Sequence, residues 1–129
     1  MVIDSSALVA IFKLEPEAER FNALIGRTEI KIIAAPTALE TAMVLSRIYG
    51  TAVSAKLDSY ISGAAIVTVP FTADHAAVAR QAFLRYGKGR HPAGLNFGDC
   101  IAYATARLEA MPLLFKGDDF RLTDVEPAV

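Results

Sequence analysis

The chain has one cysteine, Cys100, no tryptophan, and no excess of either charge. A single cysteine excludes an internal disulfide and a cysteine-built zinc cage, so Cys100 reads as a small core residue. Every apolar run is broken by a charge, Gly or Pro well short of the ~18 residues that a spanning helix requires. No membrane span is therefore expected, despite a mean hydropathy of +0.37. Met1-Val2-Ile3-Asp4 shows neither the basic nor the apolar segment of a secretory leader, and the expected location is cytoplasmic. Also missing are the Gly-x-Ser-x-Gly elbow, a Gly-Lys-Ser/Thr phosphate loop and His-Glu-x-x-His, which removes the common serine hydrolase, nucleotide-binding and zinc-peptidase chemistries.

What is present suits one folded domain spanning residues 1–129. Apolar residues make up 53% and charged residues 21%, enough to build one core and too few residues for two. The net charge of −1 and pI near 6.1 argue on average against a nucleic-acid partner. The distribution argues otherwise. Neutralising four carboxylates with a metal would turn −1 into +3, and Arg80, Arg85, Lys88 and Arg90 lie in a stretch with no Asp or Glu between His75 and Gly98.

Short apolar runs alternate with helical periodicity, the mark of an α/β domain with a mainly parallel sheet between helices. Met1 to Ile3 reads as a strand that hands over to a helix at Asp4. Pro16 suits the first turn of a helix ending near Gly26. Ile30 to Ala34 is β-branched and reads as a strand ended by Pro36, after which Thr37-Ala38-Leu39-Glu40 has the spacing of a capping box for a helix that stops at Gly50. Another helix is expected from about Thr51 to Ser62, a strand over Ile66 to Val69, and a helix capped by Thr72. Gly87 to Gly94 is a loop by its Gly and Pro content. Asn96 opens a helix carrying Phe97, Ile101, Ala104, Thr105 and Leu108 on one side. Leu113 to Phe115 is a buried strand, and Val125 belongs to a short last one.

This arrangement puts Asp4 at a strand end, Glu40 and Asp99 in helix first turns, and Asp118 and Asp119 just after a strand. All favour the carboxyl edge of the sheet, where open α/β folds form their crevices. Taken singly, each has a structural explanation, since acids in a first turn offset the helix dipole by about 0.3 to 1 kcal/mol. Glu40 fits its box, Asp99 follows Asn96 at cap spacing, and Asp119 can hold a turn. Together they require a cation, because like charges 4 Å apart repel by ~4 kcal/mol at an effective dielectric of 20. Carboxylates without nearby His or Cys favour Mg²⁺ or Mn²⁺ over zinc. Such an ion supports phosphodiester hydrolysis by an activated water, without a protein nucleophile.

Four segments then resemble the signatures of VapC toxins, which are PIN-domain ribonucleases: Met1 to Ala10 with Asp4 and Ser6, Glu40, Tyr86 to Cys100 with Asn96 and Asp99, and Leu114 to Phe120 with Lys116, Gly117, Asp118 and Asp119. The resemblance covers nearly the whole chain and is carried by the order and spacing of the pieces. It implies a PIN-like three-layer fold, a Mg²⁺-dependent endoribonuclease, a homodimer, and a cognate VapB-like antitoxin that blocks the site. Carried over by position, Asp4 and Asp99 are the principal metal ligands, Glu40 is a further ligand or water-orienting base, and Ser6 and Asn96 are polar neighbours. The fourth acid is Asp118 or Asp119, with adjacency to Phe120 favouring Asp119. Arg80, Arg85, Lys88, Arg90 and His91 lead into the Asp99 helix and are candidates for holding RNA phosphates; otherwise they form a solvated face. Tyr86 and Phe97 are conceivable base-stacking groups, with core packing the more ordinary use of Phe97.

Three other readings are weighed. A nuclease acting on DNA or broader substrates would share the acidic site, but the short chain and toxin-like motifs favour RNA. A catalytically silent PIN-like module that only binds RNA or protein would be marked by a lost ligand, and Asp4, Glu40 and Asp99 are all present. A phosphoacceptor signalling domain needs adjacent acids after the first strand and an aspartate ending the third, and Asp4-Ser5 and Val69-Pro70 supply neither.

Overall fold

The structure is a computed structural model that describes residues 1–129. Four short strands form one parallel sheet: β1 (Val2–Ile3), β2 (Ile32–Ala34), β3 (Val67–Val69) and β4 (Leu113–Leu114), in the order β3-β2-β1-β4. Six helices cover it: α1 (Ser5–Phe12), α2 (Ala18–Arg27), α3 (Ala35–Tyr49), α4 (Val53–Gly63), α5 (Ala73–Tyr86) and α6 (Phe97–Leu108).

Because successive strand residues face opposite sides, the sheet divides the interior into two cores. Ile3, Ile33 and Leu114 point into a core with Leu8, Phe21, Leu45 and Leu57 from α1 to α4. Their neighbours Val2, Ile32 and Leu113 point into a second core with Tyr86, Leu95, Tyr103 and Phe115 on the α5 and α6 side. Burial on both faces explains why the inner strands are unbroken apolar runs.

The chain steps from β1 outward to β2 and β3, then returns to place β4 on the other side of β1. Right-handed crossovers put the helices of these two journeys on opposite faces. The strand order reverses between β1 and β4, so the crevice of the sheet lies beyond the ends of those two strands. Asp4 follows β1, and Asp118 and Asp119 follow β4. The backbone N–H of Asp4 donates to the Leu114 carbonyl at 2.9 Å, which ties the residue after β1 to the end of β4.

Several boundaries differ from the sequence reading. Helix α3 starts at Ala35, directly off β2, with Pro36 in its first positions and Ala34 as a cap without a side-chain bond. The Thr37 to Glu40 capping box therefore does not form. Thr37 is buried inside the first turn with its hydroxyl unpaired, and Glu40 falls in the second turn. Pro16 precedes α2, which begins at Ala18 and runs past Gly26 to Arg27. β2 starts at Ile32 rather than Ile30. Val125 is buried in the second core but is not a strand; the segment makes one bridge, between Leu113 and Pro127.

Candidate active site

Asp4 is the N-cap of α1, in extended backbone geometry. Its Oδ2 accepts from the Ser6 backbone N–H at 3.0 Å and from the Ser6 hydroxyl at 2.6 Å. Its Oδ1 is buried and has no partner. A cap uses one carboxylate oxygen, so the second is free for another purpose. The residue is only 2% exposed, and burial pushes its pKa up to about 6. The two Ser6 bonds pull in the opposite direction, while the charges of Asp99 and Glu40 push it further up.

Ser6 also accepts from the Lys116 backbone N–H at 2.9 Å, so one hydroxyl ties Asp4 to the segment after β4. That segment is held again by the Lys116 ammonium, which bonds Glu15 and lies 3.4 Å from Glu17 at the α1–α2 elbow. Phe120 packs on Phe115 with ring centroids 5.0 Å apart and anchors the short 3-10 helix Asp119–Leu122.

Asp99 is the third residue of α6. Its Oδ2 accepts from the Asn96 N–H at 2.9 Å, and the Asn96 side chain accepts from the Asp99 N–H at the same distance, a complete capping box. The structural reading of Asp99 is thus correct, yet it consumes one oxygen of the carboxylate. Burial raises the Asp99 pKa, the Asn96 bond opposes this, and the charges of Asp119 and Glu40 add to it.

Glu40, released from any cap, lies half-buried against Gly98, close enough that a Cβ at position 98 would overlap its carboxylate. Gly98 was missed in the sequence. Its signal was a glycine in a helix first turn, which weakens a helix by about 1 kcal/mol relative to alanine and so suggests a close approach.

The two aspartates after β4 part ways. Asp118 is almost fully exposed and stands 3.8 Å from Arg121, whereas the charge of Asp119 acts on Asp99. The structure therefore links Asp4, Glu40, Asp99 and Asp119 electrostatically at the crevice. No three His, Cys, Asp or Glu side chains stand as a ready-made metal cage. Mg²⁺ needs none, since it keeps several waters and is typically held through one or two carboxylates. The unpartnered Asp4 Oδ1, the all-oxygen donor set and the mutual repulsion fit a hard divalent ion.

The basic run is split. Arg85 sits over the Tyr86 ring and pairs with Asp124 at 3.4 Å, beside Arg107, so its charge is largely spent locally. His91 accepts the Ala93 N–H through Nδ1 at 3.0 Å and packs edge-on to Tyr86, holding the loop. Lys88 and Arg90 are exposed on that loop, and Arg90 and Arg80 both lie near Phe83. Tyr86 is buried, while Phe97, expected in the core, is 84% exposed at the first position of α6.

Residues 1–126 match the PIN domain family model. The chain is 47% identical over 125 residues to Ribonuclease VapC30 of Mycobacterium tuberculosis, covering 97% of this chain and 95% of that one. It is equally identical over 125 residues to Ribonuclease VapC of Mycolicibacterium smegmatis, covering 97% of each. Among solved structures, Mycobacterium tuberculosis VapC20, described as a sarcin-ricin loop cleaving toxin, superposes with a TM-score of 0.77 at 17% identity over 98% of each chain. A toxin-antitoxin complex from Klebsiella pneumoniae gives 0.70 at 22% identity over 92% of this chain and 88% of that one. With a switch-point crevice lined by acids and relatives matched end to end, this chain belongs to the PIN-domain family, among its VapC proteins.

Proposed function

We propose that the chain is the toxin of a type II, VapBC-like toxin-antitoxin pair, an endoribonuclease that hydrolyses RNA phosphodiester bonds with Mg²⁺, for which Mn²⁺ can substitute. The metal chemistry rests on one observation above all: a fully buried aspartate, Asp4, keeps one oxygen without a partner beside two further carboxylates. Such a group needs either a proton or a cation. The RNA substrate and the antitoxin rest on the relatives, which are named ribonucleases, and on a fold shared with a toxin-antitoxin complex.

Asp4 and Asp99 would hold the ion, each having a carboxylate oxygen that its cap does not use. Glu40 is a further ligand or orients the attacking water, held in place against Gly98. Asp119 is the fourth acid, and Asp118 lies outside the set. Ser6 and Asn96 fix the two aspartates. When bound, Mg²⁺ polarises a phosphoryl oxygen and lowers the pKa of a bound water. Arg80, Lys88 and Arg90 hold flanking phosphates, while Arg85 and His91 shape the loop that presents them.

No helix is long and apolar enough to cross a membrane, and the site of action is the cytoplasm. A homodimer is proposed through α3, whose Leu39 and Met43 are each at least half exposed on one face. The test of function is cleavage of mixed cellular RNA by antitoxin-free protein with Mg²⁺ or Mn²⁺, with EDTA, and with Asp4→Ala as control. Discrete fragments only with metal and intact Asp4 are expected. Identical behaviour of folded wild type and variant across a broad RNA panel would reject catalysis and favour a binding role.

A further inference from the structure

A large apolar groove of about 450 Å³ opens beside the carboxylate crevice, on the α5 and α6 side of the molecule. Pro36, Phe71, Ala79, Arg80, Phe83 and Phe97 line it, and no acidic side chain does. Phe97 is the least expected of these. A capping box needs only Asn96 and Asp99, so nothing in the local helix start calls for an aromatic ring, and leaving one 84% exposed forgoes the burial that usually stabilises a phenylalanine.

Its position ties the groove to the acids. Phe97 and Asp99 flank Gly98 at the open end of α6, about 3 Å apart along the helix axis and on different sides of it. If a strand has one phosphate at the carboxylates, a base over the Phe97 ring would be a neighbouring one rather than the one at the cut. The rim is cationic: Arg80 lines the groove and the Arg90 guanidinium lies 5.5 Å from the Phe83 ring centroid. Exposed aromatic faces between cations, free of acids, are the two features that single-stranded nucleic acid sites combine.

We infer that this groove is a base-stacking subsite for unpaired RNA flanking the scissile phosphate, with Phe97 as the stacking platform and Arg80 and Arg90 holding the adjoining backbone. The inference rests on the ribonuclease reading and extends it to how the strand is gripped. It selects single-stranded over duplex RNA, because a paired base has no free face to offer.

Fluorescence anisotropy of end-labelled oligoadenylate and oligouridylate, recorded in EDTA, reads binding without cutting. Phe97→Ala should weaken binding of both strands by about tenfold to a hundredfold, the range for one lost stack, with the salt slope unchanged. Phe97→Tyr should restore it. Arg80→Ala should reduce the salt slope by about one. A strand with abasic nucleotides should bind wild type no better than the intact strands bind Phe97→Ala. Binding that is absent from wild type, or equal between wild type and Phe97→Ala, overturns the subsite, as does equal binding of abasic and intact strands. If Phe97→Ala instead sediments as a smaller species, or loses antitoxin, with RNA binding intact, the groove belongs to a protein partner and the inference is wrong. Adding Mn²⁺ in excess of the EDTA to the same mixtures scores the underlying reading separately: no cutting by wild type rejects the ribonuclease, while cutting with unaltered binding by Phe97→Ala rejects only the groove.

Discussion

Replacing Asp4 by asparagine should leave a readable pH signature. The Asp4 carboxyl titrates at about 6 in the folded chain because burial disfavours its charge, and at about 3.9 when unfolded. Between these values the native state binds more protons than the unfolded state, so stability falls as pH rises. The native state is thus free of the penalty below the unfolded value and bears it fully once pH has risen through 6. Two pKa units correspond to about 3 kcal/mol at neutral pH and above. Asp4→Asn keeps the shape and an acceptor for Ser6 but has no charge to desolvate. Urea denaturation in EDTA at half-unit steps from pH 4 to pH 8 should therefore show the variant gaining on wild type by about 3 kcal/mol across that range. Carboxylates with lowered pKa values, such as Glu15 and Asp124, impose the opposite trend on both proteins and cancel in the difference. Replacing the EDTA with Mn²⁺ at about a thousand times its Kd should then reverse the order at pH 7, since that adds about 4.1 kcal/mol to wild type alone. Difference curves that stay flat from pH 4 to pH 8 would refute a raised Asp4 pKa and with it the account of a carboxylate waiting for a cation.

Three further outcomes follow from the same geometry. Gly98→Ala should displace the Glu40 carboxylate and cut the cleavage rate about a hundredfold with stability changed by less than about 1 kcal/mol; kinetics and a thermal melt read both, and adding Glu40→Ala should cost little more. Ser6→Ala should lower Mn²⁺ affinity by about tenfold or more in calorimetry, because Asp4 loses its strongest bond and the Lys116 N–H its acceptor. Asp119→Asn should abolish most metal-dependent cleavage, whereas Asp118→Asn, whose only ion pair is exposed, should cleave normally and shift stability by less than about 0.5 kcal/mol; the reverse result would exchange their roles.

Most of the framework was readable from residue order, because short apolar runs between helical patterns leave few topologies, and Asp4, Asn96 and Asp99 stand where strand ends and caps must be. Glu40 was expected in a first-turn capping box and lies instead in the second turn of α3, against Gly98. Thr37 and Glu40 have capping-box spacing, but β2 passes into α3 without a connecting turn, so Pro36 opens the helix and the box falls inside it. Phe97 has core periodicity with Ile101 and Leu108, yet α5 and α6 pack through other faces and leave its ring outside. Arg85 looked free because Asp124, the acid that engages it, lies 39 residues further along the chain. Sequence spacing cannot separate Asp118 from Asp119, because both follow β4 and only their charge environments differ: Asp118 stands by Arg121, and the charge of Asp119 raises the Asp99 pKa.

The pairing of β1 with β4 joins Val2 to Leu113, and so the first and last acids of the crevice come from opposite ends of a chain of 129 residues. Non-local contacts of this kind form late, after the loop-closure entropy of everything between them has been overcome. The segment carrying Asp119 therefore cannot be drawn to Asp4 until β4 has been made and has paired with β1. Fragments that stop before Leu113 lack the partner of β1, so on the proposed reading they carry two or three of the acids without the strand that gathers them and should not cut RNA.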